Sequence, residues 1–427
     1  MAVLRKYWSY RHSWVTILIF GFALRLVWAL ALPVQPISDS AAYDQLAWNI
    51  ASRGSYEWNN GDITAYWPVG TAFIYSILFR LFGHSYGPIA ALNVMIGTLS
   101  IALTMELARR WFSGRASLAA GALLAFWPSQ IEFTTILASE LPFNFMLLLA
   151  LWLTSVAPIR SWPLRGLVTG ISLAGASYIR PTALPLVVLV AAALIWSSKV
   201  KWQFLAQFVG AAIIAMAVCV APWTLRNERQ LGARVLISTN GPANFWMGNN
   251  PNANGAYMPL PDDVAGMDEV ARSKLLSDRA KQFVAMQPAH AAWLVVRKII
   301  ITHDRETIGV SWNEPALGAK LGNTGVKVAK AISTLYWWLA LALAFTAVAI
   351  LTKREKIRGM FHPTVLAWGY FALIHGVTVG ADRYHFPSIP FIAMLAGTIL
   401  ERIAWTLFDW ADETSRRPES ARAGAGQ

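Results

Sequence analysis

The chain of 427 residues is 56% hydrophobic and only 14% charged, with 21 tryptophans and a mean hydropathy of +0.43; a soluble domain carries roughly a quarter charged residues. Apolar runs of about 17–25 residues recur, the length needed to cross a roughly 30 Å hydrocarbon layer, so a soluble globular protein is excluded and an all-α polytopic membrane protein expected. The net charge of +13 sits in short clusters between apolar runs, which suits cytoplasmic loops and argues against a nucleic-acid partner, while the single cysteine, Cys219, excludes an intrachain disulfide.

In chain order, about ten transmembrane helices are expected, near 14–32, 87–108, 116–135, 141–156, 164–178, 182–197, 203–222, 332–351, 363–380 and 386–405. The first is too long and too lightly flanked for a cleaved signal peptide and reads as an anchor. One set of short connections carries Arg5, Lys6, Arg11, Arg109, Arg110, Arg115, Arg160, Arg165, Lys199, Lys201, Lys353, Arg354, Lys356 and Arg358. The alternate set carries only Arg53, Arg80, Arg180 and Arg383. The richer set marks the cytoplasmic side, with both termini on it.

This divides the chain into four parts. Residues 1–222 form an N-terminal transmembrane module with an outer loop at 33–86; 223–330 form a second outer region; 331–411 hold the C-terminal helices; and 412–427 read as a disordered cytoplasmic tail. Within the first loop, Ser40–Arg53 and Val69–Phe82 look helical but too short to span, each followed by glycine, Gly54 and Gly83. The second of these, with Trp67 just ahead of it and Tyr75 within it, suits a helix lying along the interface. In the second outer region Ser238–Tyr257 is rich in Asn, Gly and Pro and predicts a shaped loop; Asp268–Met286 has the period of an amphipathic helix.

Candidate chemistry gathers on the outer side. Asp39 lies where the chain leaves Pro36 and enters a helix, with Tyr43 one turn on and Asp44 beside it. A carboxylate in a partly dry site can take a proton from an incoming hydroxyl; it can equally be a helix cap, as can Ser38. Glu140 precedes Pro142 at a helix N-terminus, where the dipole favours an anion whether or not it does chemistry. Arg383, in GADRYHFPSIP, and Arg180, in SYIRPT, occupy similar outer corners. Arginine suits bidentate phosphate binding, and it also snorkels to lipid headgroups. Tyr384 and His385 could add hydrogen bonds to a phosphate. No HExxH, paired-histidine or GxxxxGK[ST] pattern is present.

The order of these features is that of a known group. An acidic residue after span one, two juxtamembrane helices, an acidic residue after span three and a long outer loop, together with YWPVGTAFIYSILFRLFG (Tyr66–Gly83), PWTLRN (Pro222–Asn227), GNNPNANGAY (Gly248–Tyr257) and RYHFPSIPFIAMLAG (Arg383–Gly397), resemble the GT-C glycosyltransferases. More narrowly they resemble the family 39 type, bacterial relatives of protein O-mannosyltransferases and aminoarabinose transferases. The resemblance spans most of 10–405 and is strongest from Asp39 to Trp152. It implies a GT-C-type helix bundle in a bacterial inner membrane that transfers a sugar from a polyprenyl-phosphate donor on the periplasmic side. The acceptor would be lipid A or lipopolysaccharide, another glycan, or a protein. It further implies Asp39 as base, with inversion at the anomeric carbon, and Glu140 orienting the acceptor or helping to hold a divalent cation, if one is used. Arg383, Arg180, Tyr384 and His385 would hold the donor phosphate, and Asp44, Tyr43, Tyr66, Asn249 and Asn250 would contact acceptor or sugar. Two departures stand out: Ser40 follows Asp39 where many relatives carry Asp-Glu, and the second acidic position is Glu. The rival reading is a transporter or flippase for lipid-linked sugars, since charges in membranes also mark substrate pathways. Against it, the two halves of the chain show no symmetry and the charges gather on one side.

Overall fold

The computed structural model describes residues 2–416, which are helical nearly throughout; among them the only β-pairing is an isolated bridge between Glu57 and Ile63. The helices are α1 (Ala2–Ala31), α2 (Asp39–Arg53), α3 (Val69–Phe82), α4 (Gly87–Trp111), α5 (Gly114–Phe126), α6 (Pro128–Glu132), α7 (Glu140–Ser155), α8 (Trp162–Ile179) and α9 (Val187–Ser197). They continue as α10 (Trp202–Leu231), α11 (Asn240–Met247), α12 (Glu269–Met286), α13 (Pro288–His303), α14 (Ile308–Trp312), α15 (Glu314–Glu355), α16 (Ile357–Met360), α17 (Pro363–Val377) and α18 (Ile389–Arg416). The expected tail from 412 therefore begins as the last turn of α18, and 417–427 lie outside the described residues.

This is the all-α, multi-pass membrane architecture the composition demands. Five described helical stretches are long and apolar enough to cross a bilayer: His12–Ala31, Gly87–Trp111, Trp202–Leu231, Glu314–Glu355 and Asp382–Ala404. A sixth is made by Pro128–Thr135 and Glu140–Ser155 if that pair, bent by 120°, is one span. Each of the other expected spans falls on a helix, but α5, α9 and α17 are shorter and α8 is less apolar, so the count of ten is not established.

One expected span, 116–135, is broken. Pro128 forces Trp127 into extended backbone (φ −67°, ψ 117°), ending α5 at Phe126. The carbonyls left open in the last turn of α5 are met from α1: fully buried Arg25 donates to Leu124 O (3.1 Å) and Ala125 O (3.2 Å). A guanidinium in an apolar helix thus caps a neighbouring helix's C-terminus, where a cation is favoured.

Packing follows small residues. α8 lies against α10 because Gly166 and Gly170 carry no side chain there. A Cβ on either would meet the α10 backbone at 2.2 Å (Phe208 O) or 2.3 Å (Ala212 O). One apolar core is shared by α4, α7, α8, α9, α10 and α17, and a second by α4, α5, α15 and α18. A third, smaller one ties α2 and α3 together through Tyr43, Leu46, Tyr75 and Phe79.

The two connecting regions at the cleft end of the bundle are joined to one another. Glu269 accepts from Thr64 Oγ1 (2.6 Å) and Ala65 N (3.0 Å) of the first and from Thr239 Oγ1 (2.7 Å) of the second. Arg226 adds hydrogen bonds to Tyr56 O and Thr64 O. The second region is more ordered than its turn-rich sequence suggests. It carries α11, α13 and α14 besides the expected amphipathic helix, which appears as α12 capped by Asp268 through Val270 N and Ala271 N, both at 2.9 Å.

Candidate active site

Stretches far apart in sequence converge on one small cleft of about 190 Å³. The start of α2 and the turn before α3 supply Asp39, Tyr43 and Trp67; the α7 entry and the α8 exit supply Ser139, Arg180 and Thr182. α11 supplies Asn240 and Asn244, and the ends of α17 and the following 3-10 segment supply His375, Arg383 and Tyr384.

Asp39 is the first residue of α2, and its carboxylate does not cap the helix. Ser38 ahead of it takes φ 52° and ψ −128°, a conformation L side chains seldom adopt, and makes no capping bond either. Backbone strain of this kind costs about 1–3 kcal/mol and persists where the surroundings impose it. The Asp39 carboxylate lines the cleft, where it pairs with the Arg383 guanidinium. The two side chains are 17% and 19% exposed, so a substrate can reach both.

Arg383 is braced through its neighbours in sequence. Asp382 accepts from Thr307 N (3.0 Å) and Thr307 Oγ1 (2.7 Å). His385 donates from Nδ1 to Thr302 O (2.7 Å), pairs through Nε2 with Glu306 (3.2 Å) and stacks on Trp337 at 3.8 Å. The guanidinium itself lies over the rings of Trp312 (5.1 Å) and Tyr384 (5.2 Å).

Arg180 is set by a second carboxylate. Its Nη2 donates to Glu140 Oε1 (2.5 Å) and its Nε to Ser139 Oγ (2.9 Å). Glu140 is 1% exposed and stands behind Ser139, outside the cleft wall. Tyr43 sits between the two acidic corners. Burial, reinforced by the negative charges of Asp39 and Glu140, pushes its phenol up to about 12, so it stays a hydrogen-bond donor near neutrality.

Of the residues singled out by sequence, the fold brings Asp39, Tyr43, Arg180, Arg383 and Tyr384 into the cleft, with Glu140 directly behind Arg180. The others stand elsewhere. His385 faces the buried Glu306, Trp127 and Ser129 network. Asp44 pairs with His84 (2.7 Å) and Tyr86 (3.2 Å) on another face of α2. Tyr66 lies under the Arg272 guanidinium. Asn249 and Asn250 are buried, with their amides donating to the carbonyls of Phe245 and Val377 and of Trp246. Ser139, Thr182, Asn240, Asn244 and His375 line the cleft without having been picked out. The i, i+4 spacing of Asn240 and Asn244 in a helix was the available signal; His375 had none, lying inside an apolar run.

A larger apolar groove of about 510 Å³ adjoins the cleft, formed by Leu184, Val187, Met216, Val220 and Leu236 among others. It shares two chain segments with the cleft: Thr182 faces the cleft where Leu184 faces the groove, as Ser238 and Leu236 do. As for a cation, both acidic corners are committed to arginines, and no three metal-type side chains gather among the described residues.

Residues 67–224 match the family described as dolichyl-phosphate-mannose-protein mannosyltransferase. No curated protein matches the chain in sequence. In fold, the protein is similar to the Archaeoglobus fulgidus oligosaccharyltransferase. Against its apo form the TM-score is 0.55 at 11% identity, covering 94% of this chain and 52% of that one. Against its complex with Zn and sulfate the TM-score is 0.50 at 13% identity, covering 90% and 49%. The chain thus spans about half the length of the solved protein it matches. ArnT from Cupriavidus metallidurans bound to undecaprenyl phosphate aligns at a TM-score of 0.44 and 15% identity, covering 90% and 77%. The helix bundle is similar in fold to that of the oligosaccharyltransferase, and an all-α membrane bundle is the fold class expected from the sequence.

Proposed function

We propose that the protein is a membrane glycosyltransferase that moves a sugar from a polyprenyl-phosphate donor to a hydroxyl of a cell-envelope acceptor: lipid A or lipopolysaccharide, another glycan, or a protein. It works at the periplasmic face of a bacterial inner membrane, with both termini in the cytoplasm. The observation that carries this reading is one cleft holding a carboxylate and two guanidiniums beside an apolar groove. A lipid-linked donor needs both surroundings at once, an apolar bed for its tail and cations for its phosphate.

In the reaction, Arg180 and Arg383 bind the donor phosphate. Arg383 holds Asp39 by the same guanidinium, so an incoming phosphate draws it from the carboxylate and frees the base where the acceptor arrives. Asp39 takes the proton of the acceptor hydroxyl; the oxygen attacks the anomeric carbon; the bond from that carbon to the phosphate oxygen breaks. Polyprenyl phosphate departs with the bond electrons, its charge met by the two arginines. One displacement inverts the anomeric centre. Glu140 fixes Arg180 rather than touching the sugar, and Tyr43, Trp67, Asn240 and Asn244 offer the donors and aromatic faces that sugars use.

The test is sugar transfer by purified protein in lipid nanodiscs from a synthetic polyprenyl-phosphate sugar to envelope extracts, with the product's anomeric configuration read by NMR. An inverted glycosidic product supports the reading. A lipid-linked sugar carried across vesicles with no glycosidic product would replace it with a flippase.

A further inference from the structure

Three histidines are buried among the described residues. His362 bonds through Nδ1 to Thr364 (2.7 Å) and leaves Nε2 unpartnered away from the cleft, and His385 bonds to Thr302 and Glu306. His375 is 8% exposed and makes no hydrogen bond at either ring nitrogen; its Nδ1 is closed off from solvent and unpartnered. Buried polar groups are paired in the great majority of cases, and an exception at a cleft points to a group that arrives there.

His375 lies in the last turn of α17, in the wall of the cleft that holds Arg180 and Arg383. Its ring lies flat on Tyr384, with centroids 4.3 Å apart and planes 4° apart; Arg383 lies over the same tyrosine ring. With neither nitrogen committed, a half-turn of the ring can present an N–H to the cleft at no cost in existing bonds. The cleft is small, so an anion seated between the two guanidiniums abuts this ring.

We propose that His375 is a third ligand of the donor phosphate, giving an imidazole N–H to one of its oxygens beside Arg180 and Arg383. This rests on the transferase reading above and adds to it a residue that its sequence context hides. The competing role is packing alone, the ring serving as a support for Tyr384.

Two substitutions separate the roles. His375→Phe keeps the flat ring on Tyr384 and removes the N–H; His375→Asn removes the ring and keeps an N–H donor. The probes are farnesyl phosphate and farnesol, titrated against the solubilised full chain by tryptophan fluorescence. The proposal expects a wild-type preference for the phosphate over the alcohol. The Phe variant should weaken farnesyl phosphate binding about tenfold or more, as loss of a hydrogen bond to a charged group does, and the Asn variant should stay much closer to wild type. Phosphate binding unchanged in the Phe variant, or lost in the Asn variant alone, overturns it. If wild type transfers sugar while the Phe variant binds normally, only this assignment falls. If wild type shows no preference for phosphate over alcohol, the donor-phosphate reading falls with it.

Discussion

Replacing Asp39 by Asn removes the proposed base. Asn keeps an oxygen that can accept from Arg383, and the pair sits in a small cleft with only 17% and 19% of the two side chains exposed. Removing one partner of a mostly buried pair costs up to about 3–5 kcal/mol, and the hydrogen bond Asn keeps to Arg383 holds the loss below that, so the variant should fold with a moderately lowered unfolding temperature. Catalysis should suffer more. A positioned general base contributes about 10²–10⁴-fold, equal to roughly 3–5 kcal/mol of barrier. Donor binding should hold or tighten, because Arg383 no longer shares itself with a carboxylate. The measurements are single-turnover transfer from a synthetic polyprenyl-phosphate sugar, unfolding by intrinsic fluorescence, and donor affinity. A folded Asn variant that transfers within a few-fold of wild type would refute the assignment of Asp39, and a large drop in donor affinity would place its role in binding instead.

Three further outcomes follow from the same geometry. Arg383→Ala should raise the donor KM and leave acceptor KM largely unaffected, while Arg383→Lys, which keeps the charge but not the fork, recovers only part; unaltered donor affinity in the Ala variant would remove it from the phosphate site. Glu140→Gln should act through Arg180, weakening donor binding by about tenfold while kcat at saturating donor changes little; a kcat collapse at saturation would show that Glu140 meets the reacting atoms. Lys298 is fully buried and donates to Gly248 O, Val377 O and Asn249 Oδ1, each at 3.1 Å, yet burial pulls its pKa down to about 8. Between pH 8 and the unfolded lysine value of about 10.4 the unfolded chain holds more protons, so this residue makes stability rise with pH across that window. The unfolding temperature of wild type relative to Lys298→Met should therefore climb from pH 8 to 10, and a flat difference would contradict the linkage.

Much of the architecture was legible in one dimension because a bilayer imposes it. Hydrocarbon admits only segments whose backbone bonds close internally, so span positions follow from apolar length, and the capping glycines Gly54 and Gly83 end α2 and α3 where the pattern stops. The break of α5 at Trp127 was written in Pro128, yet an apolar run masked it. Arg25 passed unnoticed for the converse reason: its partners are backbone carbonyls of another helix, which no side-chain pattern reports.

The candidate site divides along the same line. Asp39, Arg180 and Arg383 stood out by sequence because a charge beside an apolar span is costly and therefore conspicuous. Their pairing was not legible, since Asp39 meets Arg383 across 344 positions and only folding sets that distance. Adjacent residues also separate: in the 3-10 turn Arg383 and Tyr384 face the cleft while His385 turns to Glu306. His375, silent within its apolar helix, takes the place in the wall that sequence had offered to His385. Local chemistry thus determined which groups were costly to keep beside the apolar spans. Which of them share a cleft was decided by helix rotation and crossing, because side-chain direction depends on packing against partners remote in the chain.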